Sequence, residues 1–193
     1  MEHVFDYWYD SGVTSTINSS TTTPPGWWSM NAAGLAKALQ DRESTIRRLQ
    51  AEQYQILADV ESRGALALFG YSTTVAVTQE LLRVSRKDAT AMVARAKALN
   101  PVMVGSSVTP ASAPLVAEAA AEGVLGASHI DAITTTLNAL PENTSPEDVE
   151  SAEKILVDLA QETGTRGILR AGREILARLD PDGHQPTDRK SVV

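Results

Sequence analysis

The sequence contains no cysteine, which rules out disulfides, thiolate metal sites and cysteine nucleophiles. Histidine is nearly as scarce. His3, His129 and His184 are far apart, and none has a second histidine at metal-ligand spacing. His129, beside Ile130, reads as a surface or partly buried side chain, and His184 as an exposed one. The twelve glycines are dispersed, with no G-x-G-x-x-G or G-x-x-x-x-G-K-[ST] run to cradle a phosphate. There is no G-x-S-x-G elbow and no H-E-x-x-H pair. No apolar run approaches the roughly 20 residues of a membrane span. The first ten residues, MEHVFDYWYD, lack the basic and apolar regions of a secretory signal. A cytoplasmic chain with no membrane partner and no cofactor is therefore expected. Positive charge is also in deficit. Seventeen Lys and Arg stand against 24 Asp and Glu, a net charge of −7. A role on nucleic acid then has to come from a local patch.

Composition changes near residue 30. Residues 1–28 hold no Lys or Arg and all three tryptophans, and nine of the sixteen residues in 11–26 are Ser or Thr. Residues 1–29 read as a flexible Ser/Thr/Pro-rich segment, residues 30–183 as one all-helical domain, and 184–193 as a short tail. From Met30 the apolar spacing is helical. Leu35, Leu39, Ile46, Leu49, Ile56, Leu57 and Val60 recur at sums of three and four, which predicts one long helix over 31–63. It is expected to serve as a spine against which shorter helices pack.

Punctuation predicts the rest. Ser72 caps a helix to Leu82. Ser85 with Asp88 opens one to Leu99, ahead of Asn100 and Pro101. Thr109 and Pro110 open a helix to Gly123, and Ser128 with Asp131 opens one that ends before Pro141. Ser145, Pro146 and Asp148 start a helix to Thr163. Thr165 caps the last, to Leu179, and DPDG at 180–183 makes a closing turn. The fold class is all-α: a multi-helix bundle with a long spine and a helix-turn-helix-like pair over 72–99.

Catalytic constellations do not emerge. Glu142, Glu147, Asp148, Glu150 and Glu153 gather around one helix start, where acidic residues suit the positive end of the dipole. The stretch LLRVSRKDATAMVARAKAL, residues 81–99, is the richest in chemistry. Ala89, Met92, Val93, Ala96 and Leu99 form a core stripe. Arg83, Arg86, Lys87, Arg95 and Lys97 place five cations in fifteen residues against the single acid Asp88. Cations near the start of a recognition helix supply phosphate and base-edge contacts. Arg83, Arg86, Lys87, Thr90 and Arg95 are the candidate DNA-binding residues. The turn Arg83-Val84-Ser85 lacks the glycine common in such units.

Four stretches together carry a family resemblance: LQAEQYQILADVESRGAL (49–66), GYSTTVAVTQELLRVSRKDATAMVARAKAL (70–99), LVAEAAAEGVLGASHIDAITTTLNALP (115–141) and LDPDG (179–183). In order and spacing the chain resembles the actinobacterial domain of unknown function 222, whose members include the 13E12 repeat proteins of mycobacteria. The resemblance implies an all-helical region that in many members precedes an HNH endonuclease domain, which cuts DNA with a His base and a divalent metal. This sequence holds no HNH motif and is expected to stop before any such domain, so no catalytic or metal-binding residue carries over and no enzyme activity is expected. Two functional readings follow. One is a DNA-associating, targeting or regulatory domain. The other is a protein-interaction or oligomerisation module that uses the long helix and touches no nucleic acid.

Overall fold

A computed structural model of the chain describes residues 26–104 and 107–179. Residues 1–25 of the Ser/Thr/Pro-rich segment expected over 1–29, the DPDG turn and the tail at 184–193 lie outside the described residues. The chain divides into two compact units, Met1–Lys37 and Ala38–Val193. In the first, the described part is a 3-10 turn, Trp27–Ser29, followed by the opening of a long helix α1, Ala32–Ser62. Asn31 caps that helix, its side-chain oxygen accepting from Gly34 N at 2.8 Å.

Among the described residues, the second unit holds the rest of α1, a 3-10 helix (Ala65–Phe69) and six further α-helices: α2 (Thr74–Leu82), α3 (Arg86–Leu99), α4 (Pro114–Ala121), α5 (Ala127–Asn138), α6 (Pro146–Glu162) and α7 (Thr165–Leu179). The all-α expectation holds. It has one departure, a two-stranded hairpin of β1 (Val102–Val104) and β2 (Ser107–Thr109), antiparallel with Val102 opposite Thr109. The β-branched residues Val102, Val104, Val108 and Thr109 favour extended backbone over the helix start expected at Thr109 and Pro110. The proline that opens α4 is Pro114.

Two of the three S-x-x-D starts hold. Ser85 Oγ accepts from Asp88 N, and Ser145 Oγ from Asp148 N, each at 3.1 Å. The third does not. Gly126 occupies the cap of α5, which starts at Ala127, and Asp131 is engaged elsewhere. Thr73, not Ser72, caps α2 through Ala76 N. Thr165 is the first residue of α7 and not its cap.

The core lies among α3 to α7, where Val116, Leu125, Ile130, Ile133, Leu156 and Ile168 are almost fully buried. α5 and α7 pack together most extensively. Gly172 permits this, because a Cβ there would collide with the buried Thr136 of α5. Glu153 does not serve the start of its own helix, as its place in the acidic cluster suggests. It is 2% exposed, and its Oε1 accepts from Val116 N at 2.9 Å, capping α4 from α6. α4 needs this, since its cap residue Ala113 has no side-chain oxygen. Burial raises the Glu153 pKa against the lowering by Val116 and Leu115 N–H, and Glu150 raises it further.

An acid raised in the fold gives stability that is complete below its unfolded pKa, near 4.5, and is lost as pH climbs through the folded value. Glu153→Gln keeps the acceptor and removes the buried charge. It is therefore expected to exceed the parent in stability at neutral pH, with the gap closing near pH 4.5. Denaturant midpoints at the two pH values check this. A variant less stable at neutral pH contradicts it.

The spine expectation fails in one respect. Of the seven apolar residues in its helical stripe, only Leu57 is buried. α1 instead turns Ala51, Tyr54, Leu57 and Ala58 toward the domain. Among the described residues, no helix is long and apolar enough to cross a membrane.

Candidate functional site

The basic patch forms where α2 ends. The chain leaves α2 at Arg83, with φ 54° and ψ 36°, the one non-glycine residue at positive φ among those described. A side chain in this left-handed region costs roughly 1–2 kcal/mol. Ser85 then opens α3, and its hydroxyl lies 2.7 Å from Asp88 Oδ2. Arg86 and Lys87 occupy the first turn of α3 and are exposed, and among the described residues neither forms an ion pair. Arg83 Nη2 reaches Glu80 Oε1 only at 4.0 Å, with both side chains largely in water, a pair of little energetic weight. Thr90, also exposed, donates to Arg86 O at 2.8 Å. Arg83, Arg86, Lys87 and Thr90 thus gather at one end of α3. Glu80 and Asp88 stand among them, so three cations face two carboxylates.

Arg95 does not belong to this patch. Its side chain is 14% exposed and forms a bidentate pair with Asp131 of α5, Nε to Oδ1 at 2.7 Å and Nη2 to Oδ2 at 2.6 Å. Nη1 donates to Tyr54 Oη at 3.3 Å, and the guanidinium lies 5.9 Å from the centre of that ring. The Asp131 hydrogen bonds hold the Arg95 pKa well above its ordinary value, against the effect of burial. Arg95 clamps α1, α3 and α5 together. Its spacing from the core stripe of α3 marked it as outward, and nothing local reveals a partner 36 residues away. Lys97 is likewise occupied, by Glu61 of α1 at 3.0 Å.

Asp131→Ala leaves a mostly buried guanidinium without its carboxylate. The half-exposed position of Asp131 softens the cost to about 2 kcal/mol. A domain of this size is then expected to melt roughly 4–8 °C lower. Thermal unfolding measures this, and an unchanged melting temperature contradicts the clamp.

The larger surface is α1 itself. Leu39 is 73% exposed, Ile46 49%, Leu49 55% and Ile56 61%. With Arg42, Gln53 and Val60 they fall on alternating steps of three and four, the heptad spacing of a helix-pairing seam. On an ideal helix this stripe lies well round from the buried face of Ala51, Tyr54 and Leu57, and Thr45, Arg48, Glu52, Gln55 and Asp59 fill the polar third.

α1 is tethered from behind the stripe. Arg47 Nη1 donates to Val124 O at 2.6 Å. Gly123, at φ 79°, brings the α4–α5 loop against Ser44, whose backbone oxygen would collide with any Cβ. Beside the stripe, Gln50, Gln53, Leu82, Val84 and Ala91 line a cleft of about 370 Å³. His129 sits behind Arg47. Burial, then Arg47, lowers its pKa, and its Nδ1 has no hydrogen-bond partner. Among the described residues, no cluster of His, Asp and Glu could hold a metal ion.

The family model for a domain of unknown function (DUF222) matches residues 36–192. The chain belongs to the DUF222 family. Both surfaces lie inside the matched span. No curated protein and no solved structure matches this DUF222 chain.

Proposed function

We propose that this DUF222 domain is a non-catalytic assembly module that receives a partner helix along α1. One observation carries the reading: a mainly aliphatic stripe at heptad spacing, open to water over Leu39–Ile56. Four exposed aliphatic side chains along one seam, broken only by Arg42 and Gln53, are a liability unless a partner covers them. The net charge of −7 and the carboxylates within the basic patch argue the same way.

The absence of native cysteine makes the test clean. Leu49→Cys on the stripe and Gln55→Cys on the polar face are labelled with a maleimide, in living cells and in dilute purified chain. The expected result is protection of Leu49→Cys, several-fold and only in cells. Equal labelling of both positions in both settings overturns the reading.

A second reading, DNA contact through Arg83, Arg86, Lys87 and Thr90, rests on Arg83. An exposed arginine held in left-handed backbone is a strained residue of the kind that collects at functional sites. In that reading the domain targets or regulates an HNH nuclease in the cytoplasm. Arg83→Gly separates strain from contact. It is expected to stabilise the fold by about 0.5–1 kcal/mol, since glycine adopts this backbone freely. It is also expected to weaken binding to a labelled random duplex, measured by anisotropy at about 50 and 200 mM salt. No binding by the parent at the lower salt ends the DNA reading.

A further inference from the structure

We propose that the partner is a second copy of this chain, paired antiparallel along α1 about a two-fold axis between Arg47 and Arg48. The inference rests on the assembly reading and adds who the partner is and how it lies.

The seam is a palindrome. Outward from its centre the residues run Ile46, Arg42, Leu39 in one direction and Leu49, Gln53, Ile56 in the other. In an antiparallel pair each residue that opens a three-residue step (Leu39, Ile46, Gln53) meets one that closes such a step (Arg42, Leu49, Ile56) of its neighbour. Ile46 then meets Leu49 of the second copy, Leu39 meets Ile56, and Arg42 meets Gln53. The relation repeats across the axis, as an isologous contact requires.

Every aliphatic residue of Leu39–Ile56 in the seam thus meets an aliphatic one. Each Arg42 finds a neutral amide, and Glu52, one residue from that amide, offers a carboxylate beside it. A parallel, in-register pair gives a worse match. It stacks Arg42 on Arg42 inside the seam, where like charges repel at short range and low dielectric.

Two strands suffice. One flank of the seam carries Thr45, Glu52 and Asp59, too polar for a third helix. The other runs through Gln50 and Leu57 toward the chain's own domain, where Leu57 is already buried. The seam lies on a helix fixed by Arg47, Tyr54 and Glu61, so little ordering is needed for two copies to meet.

The test places one cysteine in each of two versions of the full chain, Leu39→Cys and Ile56→Cys. Both positions are exposed and tolerant, and circular dichroism checks that each variant keeps its helix content. Each variant alone, and the two mixed, are treated with a short bis-maleimide. The antiparallel pair predicts a linked dimer in the mixture and little or none in either variant alone. Linkage of each variant to itself, with no gain on mixing, overturns the orientation. No linkage in any tube, with Leu49→Cys still protected in cells, overturns the second copy as partner and leaves the assembly reading standing. Loss of that protection as well removes both.

Discussion

The melting temperature of the unaltered chain is expected to climb with chain concentration, and Ile46→Glu with Leu49→Glu to abolish that climb. Self-association stabilises the folded chain by mass action, so a paired fold melts higher when more concentrated. Both substituted side chains are about half exposed, and glutamate is a good helix former. The helix and the domain behind it therefore survive, while the seam gains buried carboxylates. If each of the two sites on each copy forfeits about 1.5 kcal/mol of aliphatic burial, association weakens by roughly 6 kcal/mol, about four decades in Kd. Calorimetry across a wide concentration range reads this directly. A variant that keeps the climb, or that loses its helix content at every concentration, contradicts the account.

Gly123→Ala is expected to cost about 3 kcal/mol, the largest loss in stability from a single methyl group in this domain. Two penalties coincide there. At φ 79° any Cβ is strained, and this one points at the backbone of Ser44, which cannot swing aside as a side chain could. Relief requires α1 to lift off the α4–α5 loop, which also disturbs the bond from Arg47 to Val124 O. Gly64→Ala serves as the control. Its φ is 64°, with nothing within 4 Å of a new Cβ, so it shows the left-handed penalty alone, about 1 kcal/mol. Equal losses at the two positions, measured by denaturant unfolding, would mean that the loop is not pressed against α1.

Local signals were readable where local chemistry decides. Ser85 and Ser145 cap the helices they were expected to cap, because a hydroxyl three residues ahead of an acidic first turn needs nothing from the rest of the fold. Ser128 shows where that logic ends. The same pattern is present, yet Asp131 lies opposite Arg95 of another helix, and a bidentate ion pair outweighs a cap. Glu153 makes the same point, since the helix start it serves belongs to α4.

The periodicity of α1 gave its extent to within a residue at each end. It could not say which way the stripe faces, because a heptad of Leu and Ile looks alike against its own core or against another chain. Tyr54 decides that face. Its hydroxyl and ring both engage Arg95, a pairing of residues 41 apart that no spacing rule reveals. Arg83, Arg86 and Lys87 were legible as an exposed basic turn. Asp88 was legible among them; Glu80, which lies on α2, was not, and together the two carboxylates reduce the patch to a small local surplus.

The most direct test of the central claim is the mass of the unaltered chain at sedimentation equilibrium over a range of concentrations, beside Ile46→Glu/Leu49→Glu. The α1 seam predicts a mass that rises from 20.6 kDa toward twice that value and no further, while the variant stays at 20.6 kDa. An unaltered chain that remains at 20.6 kDa throughout, or a variant that rises along with it, contradicts the claim.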